Sequence, residues 1–117
     1  MTAIETINEL TKSLGLSLNA YQNLARKTRL PASDATYCQL NLAGEVGELL
    51  GLISKARRKQ VPVNIDSVKK EAGDVLWQLS AVCDDFGLTL SEVAEYNIAK
   101  LSDRQERGVL DGSGDER

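Results

Sequence analysis

The sequence predicts an all-α fold, a helical bundle of four to five helices, on three observations. Apolar residues recur at spacings of three and four through most of the chain. No stretch alternates apolar and polar as a half-buried strand would, and no repeat or sustained heptad competes. Pro31, Pro62, Gly15 and Gly87 fall between the periodic runs, where helices should stop. Packed helices around one small core follow.

Residues 3 to 14 place Ile4, Ile7, Leu10 and Leu14 on one face, and Gly15 ends this first helix. Ser17 or Asn19 caps a second, which carries Leu18, Tyr21, Leu24 and Ala25 and runs to about Leu30, because Pro31 disfavours helical backbone at the residue before it. Pro31 to Asp34 is a loop, with Ser33 or Asp34 capping a long third helix from Ala35 to about Arg58. Leu40, Ala43, Val46, Leu50 and Ile53 form its expected inward side. Gly44, Gly47 and Gly51 each cost roughly 1 kcal/mol relative to Ala in a helix interior, so their presence implies close approach by another helix or by a ligand.

Lys55, Arg57, Arg58 and Lys59 close the third helix, where positive charge complements the C-terminal dipole; a solvated helix end is preferred to polyphosphate attraction. Pro62 breaks the chain, and Asn64 or Asp66 caps a fourth helix over about Ile65 to Phe86. Its expected inward residues are Val68, Ala72, Val75, Leu76, Leu79, Val82 and Phe86, and Gly87 ends it. Thr89 with Glu92 three residues later is a capping box, opening a fifth helix to about Arg107 through Val93, Ala94, Ile98 and Leu101. The chain therefore reads as one helical domain, 1–107, with a Gly-rich charged tail, 108–117.

Composition excludes several functions. A net charge of -3 does not suit a protein that coats a nucleic acid polymer, which needs a basic stripe. The absence of histidine removes Ser-His-Asp and Cys-His catalysis and His-ligated zinc, leaving carboxylates, lysines, arginines and water. Cys38 and Cys83 form no CxxC and sit among helical residues, so they read as small buried hydrophobes rather than a disulfide. Neither a leader-like N-terminus nor an apolar run long enough to span a membrane is present, so a soluble, cytoplasmic protein is expected.

The chemistry concentrates in two carboxylate pairs at helical spacing, Glu45 with Glu48 and Glu71 with Asp74. Residues three apart share a helix face, so each pair aims two carboxylates at one point. Glu45 shares its stripe with Leu42, Leu49 and Leu52, and Glu71 with Val68 and Val75. Acids on half-apolar faces need a partner or a metal. Two such helices packed antiparallel would gather an all-oxygen cage for a hard divalent cation, with Glu45, Glu48, Glu71 and Asp74 as ligands. On the fifth helix Asn97, Lys100, Arg104 and Arg107 line a basic face that suits phosphate, or else a solvated face paired with Glu92, Glu95 or Asp103. Trp77 either stacks on a base or packs in the core. Tyr21 and Gln22 either read a base or pack on the third helix. Asp84 and Asp85 read as solvated.

In order, Leu42-Ala43-Gly44-Glu45-Val46-Gly47-Glu48-Leu49, then Lys70-Glu71-Ala72-Gly73-Asp74-Val75-Leu76-Trp77, then Asn97-Ile98-Ala99-Lys100-Leu101-Ser102-Asp103-Arg104 resemble the MazG family of nucleoside triphosphate pyrophosphohydrolases. The likeness is to the short single-domain proteins of phages and mobile elements. It covers roughly residues 18 to 117, including Tyr21-Gln22, Thr28 and Gly112-Ser113-Gly114-Asp115. Family members often carry two adjacent acids where this chain has Gly44-Glu45.

The resemblance implies magnesium-dependent cleavage of an NTP or dNTP to the monophosphate and pyrophosphate, with manganese as a substitute ion. It assigns Glu45, Glu48, Glu71 and Asp74 to the metal, and Glu48 further to the attacking water. Lys100 and Arg104 are then the phosphate contacts, with Asn97 on a phosphate or a metal-bound water. Trp77 and Gln22 are the candidates for the base. It also points to a homodimer or homotetramer. The alternatives are a non-catalytic interaction scaffold and, among enzymes, a phosphoribosyl-ATP pyrophosphohydrolase.

Overall fold

The computed structural model describes residues 2–114 as five helices: α1 (Ala3–Leu14), α2 (Leu18–Arg26), α3 (Ala35–Lys59), α4 (Ile65–Asp85) and α5 (Leu90–Glu106). Met1 and residues 115–117, including Asp115 of the resemblance, lie outside the described residues, as does the side chain of Leu10. Short polar side chains start all five helices, Thr2 and Glu5 exchanging side chain–backbone bonds at the start of α1. Ser17, Asp34 and Asn64 accept from the third backbone N–H beyond them, and Thr89 with Glu92 forms the capping box.

Four helices stop on a left-handed residue, α1 on Gly15 (φ 78°) among them. After α4 and α5 it is Gly87 (φ 68°) and Gly108 (φ 73°), where Leu88 N donates to Cys83 O and Val109 N to Arg104 O, both at 2.9 Å. After α3 the same turn is made by Gln60 (φ 55°), a residue with a Cβ to accommodate there. The start of the tail thus folds back against the end of α5. The second helix ends at Arg26 rather than near Leu30. Thr28 Oγ1 donates to Ala25 O at 2.7 Å, and the backbone N–H groups of residues 27 to 29 bond three residues back, tightening the chain into a turn before Pro31 matters.

The connector 60–64 is too short for anything but an antiparallel α3–α4 hairpin, which is the principal packing unit; α2 packs on α4, and α5 on α2. Among the described residues α1 has no comparable partner. The hairpin closes on the acid-bearing faces. Leu42, Leu49, Leu52 and Ala56 of α3 and Val68, Val75 and Val82 of α4 are half-buried. Of the stripe expected to point inward only Ile53 is half-buried: Leu40 is 73% exposed, and Ala43, Val46 and Leu50 are exposed with it. On α4 and α5, Ala72, Leu76, Leu79, Phe86, Val93, Ile98 and Leu101 are likewise exposed. A single chain has only one face of each hairpin helix to cover.

Among the described residues no other helix approaches the glycines of α3. A Cβ on Gly47 or Gly51 would meet no atom within 4 Å, and one on Gly44 only Asn41 Oδ1.

Among the described residues what is buried, Leu90 apart, is small or polar: Ala25, Cys38, Ala81 and Cys83, with Gln22, Gln78, Ser80 and Arg104. Both cysteines are free. Of the polar members, Gln22 fastens α2 to the far end of α4. Gln22 donates to Asp84 Oδ1 (2.8 Å) and Leu88 O (2.9 Å) and accepts from Leu90 N (2.7 Å). Arg26 pairs with Asp84 at 2.6 Å, and Arg29 holds both oxygens of Asp85 while its Nε donates to Ser33 O. Asp84 thus anchors α4 to α2, and Asp85 anchors it to the connector that follows α2; neither is a solvated charge.

Candidate metal centre

The α3–α4 hairpin brings Glu45, Glu71 and Asp74 together, with one carboxylate oxygen from each lying within 4.8 Å of the others. The spacing of three places Glu71 and Asp74 on one face of α4, and the antiparallel turn brings Glu45 of α3 opposite them. Two of the six oxygens are special. Glu45 Oε2 and Glu71 Oε2 are buried and have no hydrogen-bond donor. A buried carboxylate oxygen without a donor is expensive, and a cation is the partner such an arrangement suits. The donor set is all oxygen, so it fits a hard ion of the magnesium or manganese type.

Electrostatics agree with that geometry. Burial, then the charges of Glu48 and Asp74, push the Glu45 carboxyl above its usual range; Asn41 Nδ2, donating to Glu45 Oε1 at 3.4 Å, works in the opposite direction. Tyr21 of α2 is also drawn in. Burial, and after it the negative charge of Asp74, raise its phenol pKa.

The structure divides the sequence-predicted residues. Glu48 is exposed and stands outside the tight trio, one turn along α3, although its charge reaches Glu45. Trp77 is half-buried, and its indole N–H donates to Thr28 Oγ1 at 2.8 Å, so it packs between α4 and the end of α2. Gln22 has no carboxamide group left for a base, because its polar atoms are committed at the α4–α5 junction. Arg104 is not on a solvated basic face. It is 4% exposed and engaged within the chain, as is the half-buried Lys100. Arg107 pairs with Asp103 at 2.9 Å, and Asn97 is exposed.

Three residues near the centre were not singled out for it by spacing: Asn41, Tyr21 and Gln78. Asn41 lies four residues before Glu45, and Gln78 lies four after Asp74 and seven after Glu71, so their shared faces were readable. Tyr21 belongs to another helix, and only packing brings it near Asp74.

Residues 34–109 match the family described as the MazG nucleotide pyrophosphohydrolase domain. The Gene 37 protein of Mycobacterium phage L5 is 36% identical over 86 residues, covering 70% of this chain and 75% of that protein. No solved structure matches the chain.

Proposed function

Because the chain belongs to the MazG nucleotide pyrophosphohydrolase family, we propose that it hydrolyses a nucleoside or deoxynucleoside triphosphate to the monophosphate and pyrophosphate, with magnesium held by Glu45, Glu71 and Asp74. The observation that carries this reading is the pair of buried, donorless oxygens on Glu45 and Glu71 within a three-carboxylate group. Manganese, with similar ligand preferences, substitutes.

The bound ion supplies charge to bind the phosphate oxygens and to acidify water. The chain's own groups do the rest. Asn41 steadies the Glu45 carboxylate by donating to Oε1, leaving Oε2 for the ion. Glu48, exposed at the rim and outside the trio, orients the attacking water and takes its proton as the water oxygen bonds to phosphorus and the anhydride bond to pyrophosphate breaks. Asn97, exposed on α5, and Lys100, once released from its partner in the chain, contact the phosphates. Gln22 is not part of this site, and Arg104 is buried and engaged within the chain. Trp77, tied through its indole N–H to Thr28 just beyond α2, packs there rather than stacking on a base.

We further propose a homodimer or homotetramer working in the cytoplasm. The chain exposes 8709 Å², whereas a compact monomer of 12.7 kDa exposes about 6,200 Å². Its radius of gyration is 17.4 Å against roughly 13 Å for a compact domain of this length. That excess, with Leu40, Val46 and Leu50 along one exposed face of α3, suits burial against a second copy. Among the described residues no helix is long and apolar enough to cross a membrane.

The test is a panel of ribo- and deoxyribonucleoside triphosphates incubated with the protein, with and without magnesium. Pyrophosphate and monophosphate should appear only with the ion. A protein that binds partners but releases no pyrophosphate from any triphosphate would instead be an interaction scaffold.

A further inference from the structure

Gln78 is 5% exposed, and its carboxamide oxygen Oε1 is buried without a hydrogen-bond partner. An orphaned buried acceptor destabilises a fold, so its presence asks what donor it awaits. Gln78 lies four residues beyond Asp74 and seven beyond Glu71, on the face of α4 that carries both acids. Helix side chains tilt toward the N-terminus of their helix, so its carboxamide leans back over the turn that holds Asp74.

The distribution of orphans sharpens the point. Among the described residues the buried side-chain oxygens and nitrogens without partners are Glu45 Oε2, Glu71 Oε2, Gln78 Oε1 and Ser80 Oγ. Three of these belong to the α3–α4 site face, whereas Ser80, two residues after Gln78, projects from nearly the opposite side of α4. A cation satisfies the two carboxylate oxygens directly. A carboxamide oxygen one turn away suits an O–H donor, and a hard divalent ion keeps several polarised waters as donors.

We propose that Gln78 is a positioning residue of the cation site, its Oε1 accepting a hydrogen bond from a water held by the divalent ion that Glu45, Glu71 and Asp74 bind. The proposal rests on the metal-dependent reading above. It explains why a glutamine is kept in the interior of a chain with so few buried apolar residues: the oxygen that burdens the metal-free fold anchors the hydrated ion.

The experiment compares magnesium chloride binding, by calorimetry and by magnesium-induced shift in melting temperature, in the wild type, Gln78→Met and Gln78→Glu. Met keeps the shape and removes the acceptor; Glu keeps an acceptor. Expected is a Kd for magnesium weakened about 10- to 100-fold in Gln78→Met, with a metal-free melting temperature no lower than wild type, and magnesium-dependent stabilisation retained in Gln78→Glu. A folded Gln78→Met that binds magnesium with the wild-type Kd overturns the role of Gln78 and leaves the metal reading standing. A wild type that does not bind magnesium overturns both. If Gln78→Met does not fold, the Gln78 side-chain amide resonances of the wild type, identified by their loss in Gln78→Glu, decide: they must shift on adding magnesium, and their failure to shift overturns the proposal.

Discussion

Glu45 of α3 and Glu71 of α4 meet across the hairpin with carboxylate oxygens within 4.8 Å, and each keeps its Oε2 buried without a donor. Like charges this close oppose the fold unless a cation joins them. Glu45→Gln or Glu71→Gln should therefore leave helical content intact and raise the melting temperature in metal-free buffer. Magnesium affinity should fall by more than the roughly 10- to 100-fold typical for losing a group one bond removed from an ion, and turnover with it. Circular dichroism, calorimetry and pyrophosphate release measure the three effects. Near wild-type hydrolysis in either variant would remove the metal assignment.

Glu48 should separate from the trio. As an exposed carboxylate outside it, Glu48→Gln is expected to keep magnesium affinity within a few-fold while kcat falls by roughly 10²- to 10⁴-fold, the usual worth of a general base. An equal loss of magnesium affinity and of kcat would make Glu48 a ligand instead.

The metal-free protein should lose stability as pH rises. Burial, then Glu48 and Asp74, raise the folded-state pKa of Glu45 above its ordinary 4.5, so between the two values the native state holds more proton than the unfolded chain. That contribution is whole below the ordinary value and is lost as pH climbs through the raised one. Urea unfolding from pH 4 to 7 with a chelator should show this decline, with Glu45→Gln flattening it. A wild type whose metal-free stability rises across that window, with Glu45→Gln following it, would count against the charged, crowded trio.

Gln22→Leu tests whether that residue serves structure or substrate. The change strands the buried Leu90 N–H and removes a donor from Asp84, so a loss of about 1–3 kcal/mol is expected, with base preference unaltered. Denaturant midpoints and the triphosphate panel read the two effects. A changed base preference at unchanged stability would restore Gln22 to the nucleotide site.

Light scattering at micromolar concentration should give two or four times 12.7 kDa, and Leu40→Glu with Leu50→Glu should lower that mass to one chain without unfolding the helices. Charges on an apolar interface cost far more than on solvated surface. A monomeric, fully active wild type would end the assembly proposal.

The sequence by itself determined the helices and the identity of the acids. Ser17, Asp34, Asn64 and Thr89 with Glu92 cap where local hydrogen bonding requires, and Gly15 and Gly87 take up the left-handed backbone that ends a helix, because these are interactions among residues a few positions apart. The three-residue spacing of Glu71 and Asp74 likewise guarantees one face wherever the helix lies. Periodicity alone could not choose between the two apolar stripes of α3. Only docking of α4 decided that Leu42, Leu49 and Leu52 close inward beside Glu45 while Leu40, Val46 and Leu50 stay outside. The same holds for Glu48 at the rim, Arg104 in the interior, Tyr21 beside Asp74, and Asp84 and Asp85 in the grip of Arg26 and Arg29. Each of these depends on the angle and depth at which one helix meets another, which is set by packing between residues far apart in the chain and leaves no mark in local spacing.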